Sequence, residues 1–323
     1  MPLGWYLAQG MYPLAPDSSD DEEGPCELPD GRVVCGPHGF VVCGKCCSDY
    51  SFMEEVLNED EDEDDDEDDE EALEEIARRV QGICTQPPPP PADHVRSPVR
   101  GTEKRRGTGL AFPTKFCPPS PTTTPAEVFS GRRAWMRAIR YTHRNDPSML
   151  LLLTDGACLN NGQANPKAGW AFVHQAGTGP DDPPGVAEGR LESKGPFGDD
   201  AIQSSNRAEL RAVIAALRFR HWAGENFHTA VIATDSVYVV EGSTVWARNW
   251  IRNGWMTRGR APVKNSDLWE MLLGEVERWK DAGMDIQFWR IPREWNTVAD
   301  AAAKAAAENH DVDEWRDIIG MAI

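Results

Sequence analysis

Four acidic residues stand where an acid is ordinarily avoided, at the end of an apolar run or within an apolar helix. They are Asp155 in LLLTDGACLNNG, Glu209 in SSNRAELRAVIAAL, Asp235 in VIATDSVYVV and Asp300 in NTVADAAAKAAA. Buried carboxylates that meet at one point repel one another unless cations neutralise them. Oxygen ligands suit magnesium or manganese, so the four acids predict a divalent metal site. The alternative for any single acid is a helix cap or a surface charge.

The elements that must position these acids follow from the apolar pattern. Apolar runs of four to eight residues predict strands, and apolar residues at helical spacing predict helices. The predicted strands are Met149–Thr154, Ala168–Gln175, Val186–Lys194, Thr229–Thr234 and Asp285–Ile291, and the predicted helices are Ser204–Trp222, Ser236–Arg252, Ser266–Asp281 and Asn296–Asn309. This order predicts an α/β domain with a mixed five-stranded sheet flanked by helices. Neighbouring strands would bring Asp155 and Asp235 together, and two helices would bring Glu209 and Asp300 to the same point.

Five motifs along this region carry a family resemblance. The strings TDGAC...NG...GWA, SSNRAEL, TDSVYVVEG, WARNWIRNGWMTRGRAPVKNSDLW and ADAAAKAA occur in this order between residues 148 and 309, and together they resemble type 1 ribonuclease H. The resemblance implies a ribonuclease H-like fold and an endonuclease that hydrolyses the RNA strand of RNA–DNA hybrids. It implies that Asp155, Glu209, Asp235 and Asp300 bind two Mg²⁺ or Mn²⁺ ions. One ion would activate water and the other would stabilise the leaving 3′ oxygen.

The resemblance also implies contacts with the nucleic acid. Asn161 and Asn206 match positions that hydrogen-bond the minor groove, and Gly156 matches a backbone contact with the same strand. Recognition of the 2′-hydroxyl distinguishes RNA from DNA, because this group both donates and accepts a hydrogen bond. The alternative for Asn161 and Asn206 is loop or cap chemistry.

The block from Trp246 to Lys264 combines basic and aromatic residues without any acid. It contains Arg248, Arg252, Arg258, Arg260 and Lys264, interleaved with Trp246, Trp250 and Trp255. A basic, aromatic stretch on an acidic chain predicts a surface that follows phosphates. It resembles the basic protrusion that grips the DNA strand in this family. The alternative for Trp246 and Trp250, which are four residues apart, is packing of the helix.

One departure from the family pattern concerns the connection before the last helix. Many members of the family carry a histidine there, whereas this chain reads FWRIPREWNTVAD and has no histidine between His228 and His310. Arg293 or Glu294 is the candidate to substitute for it. A second class of function therefore competes with the endonuclease: a non-catalytic nucleic-acid-binding or scaffold protein that uses a ribonuclease H-like domain.

The amino-terminal part of the chain differs in composition. Residues 54–75 contain 17 acids and no Lys or Arg, and without them the formal net charge of −20 would be −3. Such a block cannot bury apolar area, which predicts disorder. The predicted organisation is a flexible segment at 1–25, a Cys-rich island at 26–53, an acidic and Pro-rich disordered linker at 54–145, a ribonuclease H domain at 146–310 and a tail at 311–323.

Five cysteines within 22 residues form the island CELPDGRVVCGPHGFVVCGKCC. Cys35 with His38 and Cys43 with Cys46 provide two ligand pairs at a spacing that suits structural zinc. Reduced structural thiols or a redox role are the alternatives.

The remaining expectations concern location and partners. No stretch approaches the roughly 20 apolar residues of a membrane span. The start of the chain lacks the pattern of a secretory signal, so we expect an intracellular protein, in the nucleus or the cytoplasm. The expected partner is an RNA–DNA hybrid, with no membrane, a protein partner for the amino-terminal arm, and a monomeric state.

Overall fold

A computed structural model of the chain describes residues 103–135, 138–177, 182–257 and 262–320, with short segments between residues 12 and 49. The short segments contain the strands β1 (Tyr12–Pro13), β2 (Pro25–Glu27), β3 (Val33–Cys35), β4 (Val42–Cys43) and β5 (Ser48–Asp49). The first three form a small antiparallel sheet and the last two form a ribbon. The acidic block at 54–75 lies outside the described residues, so its disorder stays a prediction.

The main sheet has eight strands. They are β6 (Thr114–Lys115), β7 (Phe129–Trp135), β8 (Ala138–His143), β9 (Met149–Leu159), β10 (Lys167–Gln175), β11 (Gly185–Arg190), β12 (Thr229–Thr234) and β13 (Asp285–Arg290). Their order is β11–β10–β9–β12–β13–β6, and β8 joins β7 to the start of β9. Strands β9, β12, β13 and β6 run parallel, whereas β10 and β11 are antiparallel to their neighbours. The predicted mixed sheet is confirmed, with three strands added to the predicted five.

Helices cover both faces of this sheet. They are α1 (Pro125–Val128), α2 (Ser205–Arg218), α3 (Val237–Glu241), α4 (Ala247–Arg252), α5 (Ser266–Asp281) and α6 (Thr297–Ala307). Helix α2 begins where the side chain of Ser204 accepts a hydrogen bond from the Arg207 amide, an N-cap of the kind that satisfies an orphan donor. Together with α5 it buries the larger apolar core against one face. Helix α6 lies on the other face, where Ala303 meets Ala157 and Ala171.

The segment predicted as one helix over 236–252 is divided. A π-helical turn at Gly242–Trp246 separates α3 from α4. The hydroxyl of Ser243 donates to the Val239 carbonyl at 2.7 Å, and that of Thr244 donates to the Val240 carbonyl at 2.7 Å. Hydroxyls that bond to carbonyls one turn back disturb the regular helical ladder. Both of these side-chain bonds lie within the widened turn.

The folded part begins well before the predicted boundary at residue 146, which corrects the linker assignment for residues 103–145. Glu277 of α5 is the anchor of this earlier segment, and its side chain is 2% exposed. Its Oε1 accepts hydrogen bonds from the amides of Thr108 (2.7 Å) and Leu110 (3.1 Å), and its Oε2 pairs with Arg105 at 3.0 Å. The Pro-rich composition of this region predicts a linker, whereas two of the three contacts that hold the segment are made by backbone amides, which leave no signal in the sequence.

The predicted tail after residue 310 is also packed. The guanidinium of Arg211 lies between the rings of Trp170 (4.5 Å) and Trp315 (3.9 Å), and it pairs with Glu192 at 2.7 Å. It also donates to the carbonyl of Arg316 at 2.6 Å. Residues 311–320 therefore belong to the domain. No helix in the described part of the chain has the length and apolar character needed to cross a membrane.

The anchoring role of Glu277 predicts a stability effect that depends on its partners. In the full chain, Glu277→Gln removes a charge that binds two amides and Arg105, so the free energy of unfolding should fall by about 1–3 kcal/mol. With Arg105→Ala already in place, one of these partners is gone, and the same substitution should cost less. Urea denaturation of the parent, the two single variants and the double variant measures both effects. An equal loss in both backgrounds would contradict the proposed anchor.

Candidate active site

Asp155 and Asp235 meet because of the parallel register of β9 and β12. This register places Leu153 opposite Ala233. Side chains two residues further along a strand lie on the same face, so the next side chains on that face are the two aspartates. Their proximity therefore follows from the backbone pairing of two buried apolar strands.

The two strands do not end together. Strand β12 ends at Thr234, one residue before Asp235, whereas β9 continues beyond Asp155, which lies opposite Ala171 of β10. Asp155 was predicted to follow the end of its strand and instead lies inside it, because the antiparallel partner β10 extends past the end of β12. The end of β12 opens a gap at the side of Asp155.

Glu209 reaches this gap from the helix layer. Gly156 faces α2 so closely that a Cβ atom there would overlap the backbone of Ala208 and Glu209. Only glycine permits this approach of strand and helix. The Gly156 amide also forms a hydrogen bond with the Glu209 carboxylate. The structure thus gives Gly156 a packing role that brings the first turns of α2 to the acids.

The three carboxylates form a compact group. Asp155, Glu209 and Asp235 each offer one oxygen, and these oxygens lie within 4.8 Å of one another. Asp155 is 3% exposed and Glu209 is 9% exposed. Burial, followed by the charges of the neighbouring acids, raises the pKa of both Asp155 and Glu209 well above the usual range. Within the described structure the Oε2 atom of Glu209 has no hydrogen-bond partner. An all-oxygen donor set with an unpartnered buried atom fits a hard divalent cation.

Asp300 is near this group but is held by other partners. One of its oxygens accepts from Arg293 at 2.7 Å and the other from Lys304 at 2.8 Å. Burial acts to raise the pKa of Asp300, but the bonds from Lys304 and Arg293 outweigh it and hold this pKa below its usual range. The structure therefore brings three of the four predicted acids together, with the fourth ion-paired beside them.

Asn296 is a site residue that the sequence analysis missed. It is buried just before α6, and its Nδ2 donates to the Thr154 carbonyl at 2.9 Å and to Asp235 Oδ1 at 3.1 Å. One amide thus joins the start of α6 to both strands that carry the aspartates. An isolated asparagine before a helix is ordinarily a cap, so no pattern in the sequence distinguishes this role.

The two predicted groove contacts are in different settings. Asn161 is 2% exposed, and its side chain donates to Ser205 Oγ at 2.9 Å. This geometry agrees with the loop and cap alternative for Asn161, because its amide secures the start of α2. Asn206 is half-buried in the first turn of that helix, close to Glu209.

The basic block contains both core and surface residues. Trp246 and Trp250 are buried, and the centroids of their rings are 5.9 Å apart. Packing, the alternative considered above, therefore accounts for both. Trp255 is partly buried against the same core. Arg248, Arg252 and Lys264 are exposed, whereas Arg258 and Arg260 lie outside the described residues. We call the three exposed residues Arg248, Arg252 and Lys264 the basic surface.

The predicted zinc ligands are not described in a way that tests them. The backbone of Cys35 lies in β3 and that of Cys43 in β4, but the side chains of Cys35, His38, Cys43 and Cys46 lie outside the described residues. The zinc site stays a prediction.

Known proteins share this arrangement of sequence. The RNase H family model matches residues 147–308, half of the chain. The chain belongs to the ribonuclease H family. A ribonuclease H of Bordetella avium is 38% identical over 135 residues, which are 42% of this chain and 75% of that protein. A ribonuclease H of Treponema pallidum is 42% identical over 132 residues, 40% of this chain and 73% of that protein.

Solved structures resemble this ribonuclease H domain as well. The crystal structure of LC9-RNase H1, described as a type 1 RNase H with the type 2 active-site motif, is 25% identical, with a TM-score of 0.36. The match covers 49% of this chain and 72% of that one. Strands β6 to β8 and residues 309–320 lie outside the ribonuclease H family match.

The position of Asn296 in this ribonuclease H domain predicts a graded loss of stability. Asn296→Ala leaves the Thr154 carbonyl and Asp235 without their donor and should lower the free energy of unfolding by about 1–3 kcal/mol. Asn296→Asp should cost more, because it sets a new acid against Asp235. Asn309→Ala, at an exposed position two residues past the end of the same helix, should change stability by about 0.5 kcal/mol or less. Urea denaturation measures all three, and an Asn296→Asp variant as stable as the parent would refute the donor role.

Proposed function

We propose that this chain hydrolyses the RNA strand of RNA–DNA hybrids, with divalent cations held by Asp155, Glu209 and Asp235 and with Asp300 as a fourth ligand. The observation that carries the proposal is the convergence of three carboxylates, two of them buried and with raised pKa values. The identity of 38–42% to proteins named ribonuclease H supports it. Clusters of acids with perturbed pKa values are typical of functional sites.

The chain's own residues supply orientation and charge. Asp155 and Asp235 stand on paired strands, Glu209 is held by the packing of α2 on Gly156, and Asn296 fixes one oxygen of Asp235. Asp155, Glu209 and Asp235 would hold divalent cations, which when bound would supply Lewis-acid stabilisation of the attacking and leaving oxygens of a phosphodiester. No protein nucleophile is needed for this reaction. Because these side chains are already held in place, they need to move little when the reaction occurs.

The start of α2 is the part of the site suited to recognise the RNA strand. Asn206 is half-buried beside Glu209, and its amide both donates and accepts hydrogen bonds. A ribose 2′-hydroxyl has the same two capacities, and it is the group that DNA lacks. Asn161 supports this contact indirectly, because it holds Ser205.

A matched pair of variants tests the metal-held acids. Asp235→Asn keeps the shape of the side chain and removes one ligand charge, so cleavage of an end-labelled hybrid should fall by at least about a hundredfold. Asp285→Asn makes the same change on an exposed aspartate at the start of β13, the opposite end of the parallel strands, and should leave the rate unchanged. Cleavage should require Mg²⁺ or Mn²⁺ and stop with chelator.

The same assay distinguishes the competing functions. A DNA duplex of the same sequence should stay intact under conditions that cut the RNA strand of the hybrid. Equal cleavage of both duplexes would indicate a general nuclease. Binding of the hybrid without metal-dependent cleavage would support the non-catalytic alternative instead.

The basic surface predicts a change in salt dependence. Arg252 and Lys264 are exposed on this surface. Replacing both by Ala should weaken hybrid binding. It should also reduce the slope of log affinity against log salt concentration, by about 0.9 or less for each phosphate contact that is lost. The control replaces Lys194 and Lys280, which pair with Glu314 and Asp285 on other surfaces, and removes the same charge. Equal slopes for both double variants would contradict a phosphate-binding role for this surface.

A further inference from the structure

The connection between β13 and α6 brings one cationic side chain to the acids. Arg293 is half-exposed, at 47%, and its Nη2 lies 2.7 Å from Asp300 Oδ1. The other oxygen of Asp300 binds Lys304 on the next turn of α6, at 2.8 Å. Asp300 therefore has two cationic partners, which come from different elements.

The position of Arg293 is set by anchored residues on both sides. On one side, the amide of buried Ile291 donates to the Thr234 carbonyl at 2.9 Å. On the other, Asn296 binds Thr154 and Asp235. A short 3₁₀ turn, Arg293–Trp295, spans the space between these anchors. Both anchors reach the strand ends that carry the aspartates, so the backbone of Arg293 is held at the rim of the site.

The charge of Arg293 acts on more than Asp300. Burial and the neighbouring acids raise the pKa of Asp155 and of Glu209, and the positive charge of Arg293 opposes both effects. A guanidinium stays protonated throughout the ordinary pH range. The acid group thus has a permanent positive charge beside it.

We propose that Arg293 is a positioning residue that serves as the built-in counter-cation of the acid cluster formed by Asp155, Glu209, Asp235 and Asp300. Its positive charge sets how tightly this cluster binds a divalent ion. This inference rests on the proposed function, because it needs a metal site. The guanidinium offsets the repulsion among the acids when no metal is bound. A divalent ion that recruits Asp300 must compete with the guanidinium for it.

Two opposite consequences follow from removing this charge. A cation beside the site repels a second cation, so Arg293→Ala should strengthen binding of Mn²⁺ by about tenfold. The metal-free protein should become less stable, because the acids lose their counter-charge. Arg293→Lys keeps the charge and loses the planar fork, so its affinity should be close to that of the parent.

The experiment is calorimetric titration of Mn²⁺ into the full metal-free chain. The acidic block at 54–75 also attracts divalent ions, so the heat of an Asp155→Asn, Asp235→Asn double variant is subtracted as the background. Lys280→Ala, which removes a positive charge from the exposed pair with Asp285, controls for net charge. Thermal unfolding of each protein is recorded in chelator and in saturating Mn²⁺.

The expected result is tighter binding for Arg293→Ala alone, with a lower unfolding temperature in chelator and a larger gain on adding Mn²⁺. An unchanged affinity, with the unfolding temperature lowered equally in both conditions, would mean that Arg293 is only structural and would overturn the inference. An equal gain for Lys280→Ala would overturn it as well. A parent titration that matches the background would overturn the metal site itself, and with it the proposed function.

Discussion

The parallel pairing of β9 with β12 is the constraint on which the site depends. The ladder places Leu153 beside Ala233 and then stops, because β12 ends at Thr234. The next side chains on that face are the two aspartates, and the missing continuation of β12 leaves the opening that Glu209 enters. A shift of register by one residue would turn one aspartate to the opposite face. The register of the two apolar strands therefore fixes the positions of the two aspartates.

Electrostatic repulsion is the cost of this arrangement. Buried carboxylates at one point favour the unfolded state unless each finds a compensating interaction. The compensations come from different elements: the Gly156 amide for Glu209, the Asn296 amide for Asp235, and Arg293 with Lys304 for Asp300. The repulsion that these interactions do not offset is outweighed by the stability of the apolar core, which is packed on both faces of the sheet. Cations that bind at such a site relieve this repulsion, so the arrangement that destabilises the metal-free protein favours the metal binding that the proposed reaction needs.

The sequence by itself determined most of the architecture and the identity of the acids. Apolar runs such as Leu150–Leu153 and helical spacing along α2 follow from burial alone, so these elements are legible without a structure. The strands β9 to β13 and the helix α5 appear where the pattern indicates them. The acids stand out because each breaks an apolar pattern, and motifs in a characteristic order named the family.

Only the tertiary structure decided which side chains meet. Asp300 and Arg293 are seven residues apart, but their pairing depends on how the 3₁₀ turn leads into α6. Asn296, Asn161 and Glu277 are buried polar residues whose partners lie far away in sequence, many of them backbone groups. Backbone amides and carbonyls are the same in every residue, so the sequence carries no record of which of them a side chain will bind. The tryptophans of the basic block show the same limit, because only packing separates an aromatic core from an aromatic surface.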